Sequence, residues 1–281
     1  MTDLSAFSSD KPLILAGCGN MGGALLNGWL ASGLSRDAVF IVDPVMAQAG
    51  SAPAGVSCFG RVEDLPDCAP SMVMLAVKPQ IMESVAAAYV DRVRSSGAAV
   101  ISIAAGVGMA SYEGWFGTDT PIIRVMPNTP AAVGAGMSLL LKNAAVSEEL
   151  ATLSEVMLAA VGTSIWVSAE TQIDAMVGVT GSGPAYVFLL MECIAAAAEK
   201  TGLTPDQAKL AARQTVLGAA LLAEDQPDIE PAELRRRVTS PGGVTQAALD
   251  VLMAEGRGLP DLFPEAMESG EKRNAELSGK S

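Results

Sequence analysis

The stretch ILAGCGNMGGALL, residues 14–26, decides the fold of this chain. It spaces Gly17, Gly19 and Gly22 as GxGxxG, directly after an apolar run that predicts a strand and at the start of a helical pattern. In that setting Gly17 permits a tight turn, Gly19 lets the backbone approach a pyrophosphate, and Gly22 lets helix and strand pack closely. Asp43 ends the next predicted strand, about 20 residues further on, where a carboxylate can accept hydrogen bonds from a ribose. The sequence therefore predicts a dinucleotide-binding turn.

Short apolar runs alternate with helical patterns along the first part of the chain. Their Val, Ile, Leu and Met content is nearly continuous, as in strands that are covered on both faces. We expect strands at 12–17, 38–43, 71–77, 98–104 and 121–126, extended by runs at 136–142 and 163–167. Helical patterns at 21–33 and 80–96 lie between them. This alternation predicts an α/β domain with a doubly wound sheet of the Rossmann type.

After about Val167 the strand-like runs stop and Ala-rich helical patterns follow. We expect helices at 184–201, 205–224, 231–238, 243–255 and 260–277. The predicted organisation is a flexible N-terminus at 1–11, a dinucleotide-binding domain at 12–168, and an all-helical dimerisation and substrate domain at 169–281. Helices so rich in small apolar residues need partners on more than one face, which favours a homodimer over a self-contained bundle.

Composition excludes several classes of protein. The 281 residues carry a formal charge of -13, which argues against binding to nucleic acid. The chain has no histidine, and its four cysteines form no CxxC pair, so we expect neither a metal site nor disulfides. The N-terminus lacks a signal-peptide pattern, and the apolar run 184–198 contains Glu192 and is too short to span a bilayer. We therefore expect a cytoplasmic protein without membrane contact.

Three segments at predicted strand ends carry candidate cofactor contacts. AVKP, residues 76–79, places Lys78 where ligands bind in open α/β sheets, although a solvated loop lysine is equally consistent. RVMPNTPAAVGAG, residues 124–136, holds Asn128 between two prolines, which suits a nicotinamide or ribose contact or simply a rigid loop. SIAAGV, residues 102–107, supplies small side chains where a flat ring can pass.

Two glycine-bearing turns lie in the helical half. GSGP, residues 181–184, sets Ser182 before a proline that favours helix entry, so it is either a cap and hinge or a floor beneath a substrate. VTSPGGVTQAAL, residues 238–249, places the hydroxyls of Ser240 and Thr245 around a Pro-Gly-Gly at a helix start. That turn is either an ordinary helix cap or an anion site built from backbone N–H groups.

Together these motifs resemble the pyrroline-5-carboxylate reductase family. The resemblance rests on GCGNMGGALL, AVKPQ, SIAAGV, RVMPNTPAAVGAG, VTGSGPAYVFLLMEC and VTSPGGVTQAAL, in order from about residue 13 to 250. It implies reduction of 1-pyrroline-5-carboxylate to L-proline, the last step of proline biosynthesis, by hydride transfer from NADH or NADPH to the C=N carbon. It also implies a homodimer, or a ring of dimers, in which each active site uses both chains.

The resemblance also assigns roles to residues. Thr245 is expected beside the ring nitrogen as the catalytic residue, while the substrate carboxylate lies at the helix N-terminus. The expected substrate-binding residues are Ser182, Ser240, Gly242 and Gly243. The expected cofactor-binding residues are Gly17, Gly19, Asn20, Met21, Gly22, Asp43, Ala76, Val77, Lys78, Pro79, Ala104 and Asn128. Glu230 stands where family members often have His, which leaves open whether an acid such as Asp228 contacts the ring nitrogen.

Asp43 favours NADH over NADPH. Its carboxylate would repel the additional 2′-phosphate of NADPH, and the segment 44–50 contains no Arg or Lys to hold that phosphate. Many members of the family have a neutral or basic segment here and favour NADPH, so the chain departs from that pattern. Lys78 and Arg61, elsewhere in the sequence, remain able to reach the site.

Two other functions remain open from the residues alone. A hydroxyacid dehydrogenase usually needs a catalytic lysine in the helical domain, and Lys200 and Lys209 are available there, although neither lies in a Gly-rich or Asn-bearing motif. A non-catalytic NAD(H) sensor would keep the glycine turn but would not need TSPGGVT. Oxidation of NADH with pyrroline-5-carboxylate separates these functions from the reductase.

Overall fold

A computed structural model of the chain describes residues 4–277. Its contacts divide the chain into two compact units, the first continuing to Gly181 and the second comprising Ser182–Glu276. The strands are β1 Leu13–Ala16, β2 Val39–Val42, β3 Ser57–Phe59, β4 Met72–Leu75, β5 Ala99–Ser102, β6 Ile122–Met126, β7 Gly136–Lys142 and β8 Gly162–Trp166. The helices of the first unit are α1 Asn20–Ala31, α2 Pro44–Ala49, α3 Met82–Ser96, α4 Met109–Phe116, α5 Glu148–Ala159 and α6 Glu170–Met176.

The first unit is built on one sheet with the order β3-β2-β1-β4-β5-β6-β7-β8. Neighbouring strands are parallel except β6 and β7, which pair antiparallel. The first six strands follow the order 3-2-1-4-5-6 of doubly wound dinucleotide-binding sheets. The chain reverses direction across the sheet between β1 and β4, so a ligand crevice is expected at the carboxyl ends of these two strands. The predicted α/β Rossmann-type class is confirmed.

Alternate residues of each central strand enter two different apolar clusters. In β1, Leu13 and Leu15 belong to one buried cluster, whereas Ile14 and Ala16 belong to the other. Both faces of the sheet are therefore packed against other elements, and each residue of the strand must be apolar. This is why the nearly continuous apolar runs identified β1, β2, β4, β5, β6 and β7 correctly. The edge strand β8 was also predicted correctly, although its residues alternate between half-buried and exposed.

The sequence patterns did not predict two elements near β2, namely β3 and α2. Strand β3 has only three residues, lies at the edge of the sheet and leaves Ser57 exposed, so it shows no apolar periodicity. Helix α2 begins because Asp43 caps it and Pro44 occupies its first position. The short α2 and β3 together bring the chain around the end of β2.

Part of the N-terminal segment 1–11, which the sequence predicts to be flexible, has a defined structure. A single 3-10 turn spans Leu4–Ala6, and both Leu4 and Phe7 are buried in the larger apolar cluster of the first unit. The favourable free energy of burying these two apolar side chains offsets the conformational entropy that the backbone loses there. Residues 1–3 lie outside the described residues.

The two compact units divide later than the expected boundary at residue 168. Helix α6 stays with the first unit because Ile173 is buried in a cluster with Leu139 and Leu141 of β7. The π-helical turn Val177–Gly181 follows α6 and also belongs to the first unit. The change from strands to helices in the sequence therefore precedes the change of packing unit.

The second unit is helical, as expected. Its helices are α7 Gly183–Lys200, α8 Pro205–Asp225, α9 Pro231–Arg237, α10 Val244–Leu252 and α11 Leu259–Leu277. Its buried cluster consists of Ala195, Ala208 and Ala212, and large side chains such as Phe188 (57% exposed) and Leu210 (69%) remain accessible. Contiguous apolar exposure of this kind marks an interaction surface.

Residues Glu170–Lys200 form a helical stretch of 31 residues, in which the π-helical turn joins α6 to α7. Among the described residues it is the one helix long and apolar enough, by length and composition alone, to cross a membrane. The run 184–198 is too short to span a bilayer, but the whole helical stretch Glu170–Lys200 is not. Only 11% of the most apolar part of this stretch is buried within the chain, so its apolar side chains need another partner.

Candidate active site

The glycine turn packs against the end of β4. Gly17 has a φ of 89°, and its N–H donates to the Val42 carbonyl at 2.9 Å. A Cβ on Gly17 would lie 2.8 Å from the Ala76 carbonyl oxygen, and a Cβ on Gly22 would lie 2.5 Å from the Gly17 carbonyl oxygen. Both distances are shorter than real side chains allow, so this crossing of β1, α1 and β4 requires glycine at both positions.

Gly19 is different, because a Cβ there would meet no protein atom within 4 Å. Gly19 is the N-cap residue of α1 and no side chain caps the helix, while Asn20 beside it is exposed. The first N–H groups of α1 thus lack a side-chain acceptor at the open side of the turn. Free N–H groups and the positive end of the helix dipole suit a pyrophosphate, so these residues fit a dinucleotide.

Asp43 ties the glycine turn to α2. Its Oδ2 accepts from the Cys18 N–H at 2.8 Å, and its Oδ1 accepts from the N–H groups of Val45 at 3.0 Å and Met46 at 2.9 Å. The carboxylate therefore caps α2 and holds the glycine turn at the end of β2. A ribose hydroxyl would be an additional donor to a carboxylate already fixed in place.

Cys18, inside the glycine turn, is a neutral thiol at physiological pH. Burial, followed by the charge of Asp43 and then by Cys58, raises the pKa of Cys18 to about 11. The nucleophilic form of cysteine is the thiolate, which is scarce well below that pKa. Cys18 is therefore a packing residue of the turn.

The remaining cofactor candidates other than Asn128 follow β4 and β5, at the carboxyl edge of the sheet. Ala76 and Val77 contact the position of Gly17, while Lys78 and Pro79 are exposed at the start of a short 3-10 turn. On the next strand along, the N–H of the buried Ala104 donates to the Ser102 hydroxyl at 3.3 Å. The structure brings these residues to one edge of the sheet; their contacts with a nucleotide stay a prediction.

Asn128 has a structural use that the sequence reading did not anticipate. Its Nδ2 donates to the Thr180 carbonyl at 2.9 Å, and its Oδ1 accepts from the Met137 N–H at 2.8 Å. Both ends of the amide thus join the segment after β6 to β7 and to the π-helical turn. The structure shows Asn128 as a brace inside the first unit, and its cofactor contact stays a prediction.

A buried polar network beside the carboxyl ends of β5 and β6 was missed. Ser102 pairs in register with Arg124, and its hydroxyl lies 2.5 Å from the Tyr112 hydroxyl. Arg124 forms an ion pair with Glu170 of α6, and Glu170 also accepts from the Met109 N–H. The network fixes the start of α4 and of α6 against the sheet edge. The arginine in the otherwise apolar IIRVM of β6 was the available signal, since a buried charge needs a partner.

The predicted anion site in the second unit has a defined geometry. Gly242 has a φ of 69°, the Gly243 N–H donates to the Ser240 carbonyl at 2.9 Å, and Gly243 is the N-cap residue of α10 without a side-chain cap. Ser240 and Thr245 are exposed on this turn. An uncapped helix N-terminus flanked by two hydroxyls can bind a carboxylate. Ser182, the N-cap residue of α7, also caps nothing with its side chain and stays a predicted contact.

Arginines beside this turn were also missed. Arg235 and Arg236 of α9 line a cleft of about 410 Å³ together with Thr239 and Gln246. The Thr239 hydroxyl donates to the Arg235 carbonyl at 2.7 Å and fixes the chain between α9 and the turn. The run RRR at 235–237 was the signal, because it places positive charge directly before a glycine turn.

The fold and the glycine turn define a dinucleotide-binding protein of the Rossmann type. The pyrroline-5-carboxylate reductase of Pseudomonas aeruginosa is 40% identical over 272 residues, covering 96% of this chain and 98% of the relative. The chain therefore belongs to the pyrroline-5-carboxylate reductase family.

Family models and solved structures agree with that assignment. The model described as pyrroline-5-carboxylate reductase dimerisation matches residues 170–277, and the one described as NADP oxidoreductase, coenzyme F420-dependent, matches residues 13–106. The structure of a pyrroline-5-carboxylate reductase from Coxiella burnetii is 35% identical with a TM-score of 0.88, covering 95% of this chain and 98% of the other. The Plasmodium falciparum pyrroline carboxylate reductase with NADP bound is 26% identical with a TM-score of 0.80, covering 96% and 99%.

These findings confirm three expectations from the sequence. The chain is an enzyme, an oxidoreductase of the NAD(P)H-dependent kind. It self-associates, since the matched second half is a dimerisation domain, and it acts on a small molecule. The substrate and cofactor contacts expected of individual residues remain predictions.

We expect Gly22→Ala to destabilise the protein and Gly23→Ala to leave its stability unchanged or slightly increased. Gly22→Ala forces the α1 N-terminus away from Gly17, which should cost roughly 1–3 kcal/mol of stability and weaken NADH binding. Gly23→Ala meets only the Cys18 carbonyl oxygen, at 3.8 Å, and should be neutral or stabilising by up to about 1 kcal/mol, because alanine favours helix. Denaturant unfolding and NADH fluorescence titration measure both effects; equal behaviour of the two variants would contradict the packing role of Gly22.

Proposed function

We propose that this chain reduces 1-pyrroline-5-carboxylate to L-proline with NADH or NADPH, the last step of proline biosynthesis. One observation carries the proposal: the TSPGGVT turn offers an uncapped helix N-terminus in a chain that also holds a dinucleotide turn. The nucleotide supplies a hydride to the C=N carbon of the ring when it is bound. The residues of this chain supply binding, orientation and charge.

The substrate carboxylate is assigned to the turn at Ser240–Gly243. The N–H groups that open α10 donate to it, the Ser240 hydroxyl adds another donor, and the α10 dipole favours its negative charge. The nearby Arg235 raises the positive potential around the turn, whereas Arg236 is paired with Glu233 of the same helix. This matters in a chain of formal charge -13, since a local anion site must act against the overall charge.

The ring nitrogen is assigned to Thr245, in the first turn of α10. A protonated imine is already electrophilic, so its reduction needs an orienting hydroxyl and a route for one proton rather than a strong acid. Thr245 or a water it holds can serve this purpose, which makes a site without histidine chemically adequate.

NADH is the proposed preferred cofactor. Asp43 is held by three backbone N–H groups, so its carboxylate cannot easily turn away from a 2′-phosphate. Its neighbours in α2 are PVMAQA, without a cation. The fixed negative charge supports discrimination against NADPH by repulsion.

The oligomer is proposed to be a homodimer, or a ring of dimers, working in the cytoplasm. The exposed apolar side chains of α7 and α8, with Phe188 and Leu210 among them, support a large apolar interface. A second copy of the same face is the partner implied by the dimerisation family model. It would also cover the apolar helical stretch Glu170–Lys200 without a membrane.

The direct test is steady-state consumption of NADH and of NADPH with 1-pyrroline-5-carboxylate, with L-proline identified as product. We expect turnover with the imine and none with a 2-keto acid. Turnover with the keto acid alone would indicate a hydroxyacid dehydrogenase instead. Binding of NADH without turnover of either compound would indicate a sensor.

Thr245→Ala should lower kcat by about tenfold or more while leaving the Kd for NADH unchanged, because the hydroxyl is assigned to the imine alone. Thr245→Ser keeps the hydroxyl and should restore most of the rate. Stopped-flow reduction and NADH titration give the two quantities. An equal loss of rate and of nucleotide affinity would contradict this role.

Asp43→Ser should raise kcat/KM with NADPH relative to NADH, because it removes the carboxylate while serine still caps α2 well. Asp43→Asn removes the charge and keeps the shape, so it separates repulsion from capping. The measurement is the ratio of the two kcat/KM values for each variant. An unchanged ratio in both variants would show that Asp43 does not select the cofactor.

A further inference from the structure

Arg61 lies at the ribose end of the proposed nucleotide site. Strand β3 pairs with β2 in parallel, with Val42 opposite Phe59, and the Asp43 N–H donates to the Phe59 carbonyl at 3.0 Å. Arg61 follows Phe59 by two residues, so the backbone of Arg61 leaves the sheet next to Asp43. Lys78, the other basic candidate, follows β4, and β1 lies between β4 and β2. Along the sheet edge, the backbone of Arg61 is therefore nearer to Asp43 than the backbone of Lys78 is.

The guanidinium of Arg61 is already engaged by Asp64. Nη2 of Arg61 lies 3.1 Å from Oδ1 of Asp64, and Nε donates to Oδ2 at 3.4 Å. Arg61 occupies the position before the 3-10 turn Val62–Asp64, and this turn brings Asp64 back to the Arg61 side chain. The hydrogen bond with Asp64, followed by the charges of Asp64 and Glu63, raises the pKa of Arg61. One full edge of the guanidinium fork is thus occupied by a carboxylate.

This pairing changes the charge available to a nucleotide. A 2′-phosphate on the adenosine ribose is held in Rossmann domains by a nearby arginine, whereas a carboxylate in that region favours the free 2′-hydroxyl. Here the cation is paired with Asp64, and Glu63 adds a second negative charge beside it. An arginine whose charge is paired, and one edge of whose fork is occupied, is a weaker ligand for a phosphate than an unpaired arginine.

We propose that Asp64 is a specificity-determining residue that acts through Arg61: it occupies the guanidinium that would otherwise bind the 2′-phosphate of NADPH. The inference rests on the proposed function for the location of the nucleotide. It adds a second cause to the repulsion by Asp43. Asp43 repels the phosphate, and Asp64 withholds the cation that would attract it.

The test compares Asp64→Ala with Asp67→Ala. Asp67 is an exposed acid of the same loop that is not among the groups acting on Arg61, so its removal changes the net charge equally without releasing the arginine. Both proteins, and the unaltered chain, are titrated with NADH and with NADPH by nucleotide fluorescence, without the imine. We expect Asp64→Ala to tighten NADPH binding about three- to fivefold relative to NADH, the size expected from an exposed ion pair, and Asp67→Ala to leave the ratio unchanged.

A third variant tests the route through Arg61. In the double variant Asp64→Ala with Arg61→Met the gain for NADPH should disappear, and the Kd for NADH should stay the same. The gain should also diminish as salt is raised, since it arises between exposed charges.

Two outcomes would overturn the inference. One is a NADPH to NADH ratio in Asp64→Ala equal to that of Asp67→Ala; the other is a gain that survives loss of the arginine. If the unaltered chain bound neither nucleotide, the proposed function would fail and this inference with it. Binding of NADH together with an unchanged ratio would overturn the role of Asp64 alone.

Discussion

The close crossing of β1, α1 and β4 is the constraint on which the rest of the first unit depends. Without side chains at Gly17 and Gly22, α1 begins directly over the carboxyl ends of the two central strands. This is also the point at which the order of the sheet reverses, so the first N–H groups of α1 face the natural crevice of the fold. A Cβ at either position would displace the start of α1, and the positive end of the helix dipole would no longer lie at the crevice.

Both halves of the proposed chemistry use the same physical device. The nucleotide turn ends in Gly19 before α1, and the TSPGG turn ends in Gly243 before α10; neither helix has a side-chain cap. Backbone N–H groups bind anions without a change of protonation, which suits a chain of formal charge -13 and no histidine. Asp43 shows the converse, since a helix that is capped by its own carboxylate presents negative charge.

The second unit is incomplete as a packed body. Its buried cluster is made of alanines, whereas its larger apolar side chains are exposed. The energy of apolar burial must then come from another surface, and the dimerisation family model over residues 170–277 agrees with this requirement. The first unit buries the apolar side chains of its central strands by itself, because other elements of that unit cover both faces of these strands.

The sequence by itself determined the sheet, the division into an α/β and a helical half, the glycine turn and the family, because these depend on apolar periodicity and on glycine spacing. It did not determine β3 or the packing of Leu4 and Phe7, since short edge elements and isolated apolar residues carry no period. Only the tertiary structure decided what individual polar side chains do: Asn128 joins the segment after β6 to β7, and Arg124 pairs with Glu170. The physical reason is that hydrogen bonds and ion pairs depend on distances of about 3 Å between atoms, and for partners distant in sequence such distances are set by how whole elements pack.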